Sequence, residues 1–236
     1  MAENIDTRVS IDLHPVNVKH LVGADDDTAV YIAPTETAFS TAYEGLRQLH
    51  DARAAAEKNQ AWTEAHRLIM VDDFGQKVFT RAASAFDSAL GNLRKSIASL
   101  ETEMSAPVTV KAAHHVASEI RAHAKGLDNG ERMALVRAAI EEGDDITSGA
   151  ILGAPSYLSG FDANMQAHFT RMYHEKVNPA KAKQLKVMKA AADHIVSRSG
   201  LLHRELEKAI GAPRHKIAQL RKAKDTAQQA LVLKDA

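Results

Sequence analysis

His115, Glu119 and His123 stand four residues apart in a segment of helical composition, so two imidazoles and a carboxylate share one helical face. Ligands so spaced, with His114 beside them, are the kind that hold zinc or iron. The companion patterns are missing. There is no HExxH pair, and the paired Glu-x-x-His motifs of di-iron bundles are absent. These histidines therefore read as solvated, and no metal or other cofactor is expected. Asp73-Phe74-Gly75 spells the magnesium-binding tripeptide of protein kinases, but the glycine-rich loop, catalytic-loop motif and strand-borne lysine that give it meaning are lacking. Neither Ser156 nor Ser159 lies in the G-x-S-x-G turn that exposes a nucleophilic serine. Glu141, Glu142, Asp144 and Asp145 surround Gly143, and the last two suit the start of the next helix. No set of reactive residues converges, so the chain reads as a non-enzyme.

The chemistry that does accumulate is cationic. Residues 1–177 hold 17 Lys and Arg against 25 Asp and Glu, whereas residues 178–236 hold 13 against 5. Lys181, Lys183, Lys186, Lys189, Arg214, Lys216, Arg221, Lys222 and Lys224 are the candidate contacts for nucleic acid or for an acidic partner. Few aromatics lie among them, which argues against base stacking. The alternative is mutual neutralisation, the basic helices folding onto the acidic remainder.

These residues need long helices to carry them. Phe79, Ala83, Phe86, Leu90, Leu93, Ile97, Leu100 and Met104 alternate in steps of four and three, the heptad seam of a coiled coil or an antiparallel bundle. The same register runs back through Trp62, Ala65 and Ile69 but puts Asp72 and Gln76 in the seam, which predicts a break near Asp72-Gly75. A second seam joins Leu185, Met188, Ala192, Ile195, Ser199, Leu202, Leu206 and Ala209, ended by Gly211-Pro213. Ile217, Leu220, Ala227 and Leu231 carry a last amphipathic helix to the C-terminus. Phe39, Ala42, Leu46 and Leu49 mark a helix from Pro34-Thr35 to about Lys58. Shorter helices are expected over 108–125, 131–142, 144–152 and 158–177.

Residues 1–34 differ. Val9, Ile11 and Leu13 alternate, as do Val16 and Val18, then Val30 and Ile32, with Asp25-Asp26-Asp27 between. Alternation is the strand signal, so this region reads as a short hairpin or extended arm joined by an acidic turn. An isolated hairpin is marginal in water and needs a surface to lie on.

The 45% apolar content includes only 5% aromatics, so aliphatics and alanine supply the packing. The absence of cysteine excludes disulfides, thiolate metal sites and a thiol nucleophile. The polar start MAENIDTRVS is unlike a signal peptide, and no apolar run reaches the roughly 18 residues that span a bilayer. A cytoplasmic or virion location without membrane contact is the expectation.

Residues 150–161, AILGAPSYLSGF, gather two glycines, a proline and two serines. With the helices on either side they give residues 131–170 the order of a helix-turn-helix. No basic residue falls between Ser156 and Thr170, where a recognition helix needs donors for phosphates and base edges. The structural alternative is a corner, with Tyr157, Leu158 and Phe161 packing inward. Gly149 and Gly153 are spaced to let another helix approach closely. The segment ILGAPSYLSGF resembles uncharacterised alanine-rich bacteriophage or prophage proteins, which implies a phage setting and assigns no residue a role.

The sequence thus predicts a mainly α multi-helix bundle with long heptad-patterned helices. A strand-like arm over 1–34 precedes a helical domain over 35–236, whose residues 178–236 are basic. It points to a structural or assembly protein, a homo-oligomer or a neighbour of other proteins in a phage virion or similar complex. The alternative is DNA association through the basic helices or the 131–170 element.

Overall fold

The computed structural model describes residues 5–231. The described residues are 78% helical, and no strand occurs among them. Ten α-helices follow in order: α1 (Val16–Lys19), α2 (Ala29–Glu57), α3 (Glu64–Met104), α4 (His114–Gly126), α5 (Asn129–Glu142), α6 (Asp145–Leu152), α7 (Ala163–Val177), α8 (Pro179–Arg198), α9 (Leu201–Ile210) and α10 (Arg214–Ala230). Single 3-10 turns occupy Ile11–Leu13 and Ser156–Leu158. The fold divides into two compact units, one of residues 1–94 with 187–236 and one of residues 95–186.

In the first unit α2 packs on α9 and α1, and its core joins Leu49, Val71, Leu206, Ile210 and Ile217. Phe39 of α2 meets Phe86 of α3 edge-on and lies over His194 of α8. The expected N-terminal hairpin is replaced by the first 3-10 turn, α1 and the opening turns of α2. Val9 and Leu13, four residues apart, are buried, while Ile11 between them is exposed. The spacing that decides burial is therefore helical, and residues 9–18 belong to the core instead of forming a separate arm. Residues 1–4 of that expected arm lie outside the described residues.

Helix α2 also begins at Ala29, upstream of Pro34. Pro34 forfeits the bond to the carbonyl four residues back and its ring crowds that carbonyl, which belongs to the exposed Val30. The acidic stretch serves the helix start. Asp25 N–H donates to Thr28 Oγ1 at 2.9 Å and Thr28 N–H to Asp25 Oδ1 at 3.2 Å, a reciprocal closure before α2.

The break expected at Asp72-Gly75 is absent, and α3 runs unbroken for 41 residues. Asp72 stays buried in the helix because Gln76 donates to its Oδ1 (3.1 Å) and Arg221 to its Oδ2 (2.6 Å). Gly75 leaves room for Ile210 and Leu206, whose side chains lie 3.2–3.4 Å from where a Cβ would stand. The fully buried row of α3 is Val71, Gly75, Val78, Ala82, Phe86, Ala89 and Leu93. The expected seam shares Phe86 and Leu93 with it, and its last member Met104 is buried, while Phe79, Ala83, Leu90, Ile97 and Leu100 are only half-buried. The second seam is buried at every position but Ser199, although Ser199-Gly200 separates α8 from α9.

In the second unit α6 packs on α4, α5 and α7 around Val136, Ile140, Ile151, Leu152, Phe161 and Phe169. Residues 108–111, expected as the first turn of a helix, are non-helical like Pro107 before them, and α4 begins at His114. They cross α6 at its two glycines. A Cβ on Gly153 would stand 2.2 Å from Val108 O, and one on Gly149 2.7 Å from Thr109 O. The glycine pair thus seats a non-helical backbone where a second helix was expected. Lys111 anchors that segment to Asp145 at 2.5 Å, and Tyr173 of α7 donates to the same carboxylate at 3.0 Å.

The corner at AILGAPSYLSGF is held from below by Arg132 of α5, which is only 7% exposed. Its guanidinium donates to the carbonyls of Ala124 (2.8 Å), Leu127 (2.6 Å) and Gly160 (2.6 Å) and to Asn129 Oδ1 (2.8 Å). It closes the end of α4 and fixes Gly160, whose φ of +76° reverses the chain. That reversal turns Ser159 and Phe161 inward, whereas Tyr157 and Leu158, expected in the core, are exposed. Ser159 Oγ donates to Ile151 O at 3.4 Å. After the 3-10 turn α7 starts only at Ala163, capped by Asp162 accepting from Met165 N–H at 2.7 Å. The third helix of the expected helix-turn-helix therefore does not begin near Ser156 or Leu158.

Candidate interaction site

The nine basic candidates divide between the two units. Lys181, Lys183 and Lys186 belong to the second unit and the other six to the first. Lys181 pairs with Glu103. Lys183 and Lys189 are half-buried. Arg214 donates to His203 Nδ1 at 2.7 Å and lies 3.6 Å from Glu207. Lys216 lies 3.3 Å from Glu64. Arg221 grips Asp72 and Asp73 together, and those two carboxylates hold its guanidinium above the ordinary arginine range. Lys186, Lys222 and Lys224 are exposed.

The opposed charges along the sequence thus meet inside the fold. The first unit holds 19 Lys and Arg and 19 Asp and Glu, and the second 11 of each. Arg198–Asp12 at 3.5 Å adds another contact from the basic third to the acidic N-terminal region. Neutralisation, the alternative reading of the charge asymmetry, describes the larger part of it.

Two features of the first unit stay uncovered. On α10 Ile217 is buried and Leu220 half-buried, but every residue from Lys222 to Leu231 is exposed. Leu220, Ala223, Ala227, Ala230 and Leu231 continue one stripe at three- and four-residue spacing, with Leu231 84% exposed. Lys222 and Lys224 flank it. The expectation that this helix reaches the C-terminus falls, beyond Leu231, outside the described residues. The second feature is the region before and into α2, where Val22, Val30 and Tyr31 are exposed around the acidic residues 25–27. These three were hidden by the strand reading, which paired Val30 with Ile32. Only Ile32 is buried, in phase with Phe39 and Leu46.

The remaining candidate residues disperse. His115, Glu119 and His123 are all exposed on α4, and no group of three metal-ligating side chains occurs among the described residues. Asp73 serves Arg221, and Gly75 is a packing position of α3. Asp144 caps α6 by accepting from Ile146 and Thr147 N–H at 3.0 Å, which lowers its carboxyl below the usual range. No helix among the described residues is long and apolar enough to cross a membrane. Comparison with protein families, curated proteins and solved structures gave no match.

Proposed function

We propose that this chain is a non-catalytic assembly protein that associates with further copies of itself. The carrying observation is the uncovered half of α10. In proteins a helix owes most of its stability to the packing of an apolar face. Residues 222–231 have such a stripe, and nothing among the described residues covers it. The occupant that fits is the acidic, apolar region of a second copy. Val22, Val30 and Tyr31 supply apolar surface there, and residues 25–27 supply charge opposite to Lys222 and Lys224. Contact between different patches of successive copies is head-to-tail, the geometry of rings and filaments. The resemblance of ILGAPSYLSGF to phage proteins suggests a virion or its assembly as the setting.

Light scattering across a wide concentration range tests this reading. The wild type is expected to rise in mass, and Ala227→Glu with Leu231→Glu to remain monomeric without loss of helix content. A wild type that stays monomeric throughout refutes it. The nucleic-acid alternative keeps Lys186, Lys222 and Lys224 as exposed cations. Salt-sensitive binding of an arbitrary duplex, lost when Lys222 and Lys224 become serine, would favour it instead.

A further inference from the structure

Within the first unit, α2, α3, α9 and α10 surround a concave site of about 360 Å³. Arg53, Arg67 and Lys216 line it together with Glu57 and Glu64, over a floor that includes Leu68, Val71 and Ile210. The cations outnumber the carboxylates. Arg53 donates through Nε to Glu57 Oε1 at 3.0 Å, and Lys216 to Glu64 at 3.3 Å, so each carboxylate occupies only part of one cation's donor capacity. Arg67 donates through one Nη to the backbone oxygen of Glu57 at 3.0 Å, while its Nε is buried with no acceptor.

That donor is the informative one. A buried N–H of a permanently charged group that gives up water without gaining an acceptor is costly. Its neighbour Arg53 also donates through Nη1 to the carbonyl of Lys208 at 3.5 Å. The Arg53 guanidinium lies over Gly211, where a Cβ would come within 2.1 Å of its Nη1, and the φ of +78° there is itself a glycine conformation. The turn between α9 and α10 is thus shaped around an arginine that faces the cavity.

We propose that this cavity binds the terminal oxyanion of a small organic molecule, the anion taken by Arg67, Arg53 and Lys216 and the apolar body resting on Leu68, Val71 and Ile210. Guanidinium forks suit carboxylate and phosphate alike, so the chemistry shared by both defines the site. The volume lies near the lower end of the roughly 300–1,000 Å³ of ligand pockets, which fits a single ring or short chain.

The test uses the full-length chain at constant ionic strength with benzoate, phenyl phosphate, inorganic phosphate and neutral benzyl alcohol. Calorimetry reads affinity, and the ¹H–¹⁵N signals of arginine Nε–H groups report the site directly. The Arg67 signal, identified by its loss in Arg67→Gln, is expected to shift saturably with benzoate or phenyl phosphate. Whichever anion binds more tightly identifies the class. Arg67→Gln and the half-exposed Lys216→Met are each expected to weaken binding about tenfold or more, the worth of one charge-assisted hydrogen bond. Three results overturn the proposal: no saturable shift with either organic anion, undiminished affinity in both variants, or benzyl alcohol binding as well as the anions. Inorganic phosphate binding as tightly as phenyl phosphate overturns the role given to the apolar floor.

Discussion

Replacing Arg132 tests whether one side chain holds the second unit's corner. Arg132→Met keeps a long apolar stem but removes every donor beneath Gly160 and at the end of α4. Five acceptors lose a donor: the carbonyls of Ala124, which keeps Leu127 N–H, and of Lys125, Leu127 and Gly160, and Asn129 Oδ1. Hydrogen bonds to a charged group are worth about 1.5–3 kcal/mol each, but they share one guanidinium and do not add. Sparing its desolvation returns part of the loss, so about 3–5 kcal/mol is expected, less than the sum of the separate bonds. A domain of this size holds about 5–15 kcal/mol in all. Arg132→Lys should recover less than half of the loss, because an ammonium is a point charge without the planar fork. Urea unfolding followed by circular dichroism gives the total. Hydrogen exchange read by peptide should place the loss in residues 114–177, with α2 and α9 less affected. A cost below about 1 kcal/mol, or full rescue by lysine, would refute the reasoning, since surface-like substitutions fall in that range.

Leu13→Ala is expected to cost about 2–5 kcal/mol of first-unit stability, as for a fully buried leucine, while Ile11→Ala is near neutral. Equal effects would restore the strand reading; Trp62 fluorescence during urea unfolding measures both. His50 and His194 each bury an Nε2 without a partner, and burial holds both below the ordinary histidine range, helped at His50 by Arg8 and Lys208 and at His194 by Arg198. The unfolded chain therefore takes up more protons below about pH 6.5, so the urea midpoint should fall as the pH drops from there through the lower folded values. His50→Gln with His194→Gln should flatten that slope, and a wild-type midpoint independent of pH in this window would contradict it.

Most helices could be read from the sequence because caps and periodicity agreed. Asp128 and Glu131 form a capping box at α5, Gly143 and Gly211 close α5 and α9 in the left-handed region, and the Leu185–Ala209 seam is buried almost throughout. The failures share a cause. Val9, Ile11 and Leu13 satisfy a two-residue period and, through Val9 and Leu13, a four-residue one; only the surface of α2 selects the second. Asp72 reads as a helix breaker because its partner Arg221 lies 149 positions away. Gly149 and Gly153 announce a close approach but not that residues 107–111 make it. Arg53 and Arg67 sit in different helices, and no local spacing joins them to Lys216. Arg132 looks like one more surface cation of a charged helix; its carbonyl partners carry no side-chain signature.

The order of charges along this sequence misstates the field around the molecule. A chain with an acidic body and a basic tail suggests a polar particle whose basic end seeks an acidic partner. Closure of α10 on α3 places Arg221 between Asp72 and Asp73 and Lys216 beside Glu64, and each unit ends with equal numbers of each sign. An exposed pair such as Lys216–Glu64 is worth about 0–1 kcal/mol and contributes little to stability, whereas Arg221 satisfies the buried Asp72; the pairs share the effect of cancelling long-range attraction. At physiological salt the residual field fades within about 8 Å. The self-association we propose would then depend on short-range contrast between neighbouring patches. The uncovered turns of α10 and the region around residues 25–27 have such contrast, and each joins charge to exposed apolar surface. An interface built from them loosens with added salt only as far as its charges contribute. The stripe from Leu220 to Leu231 should hold the remainder together, since apolar burial is not screened.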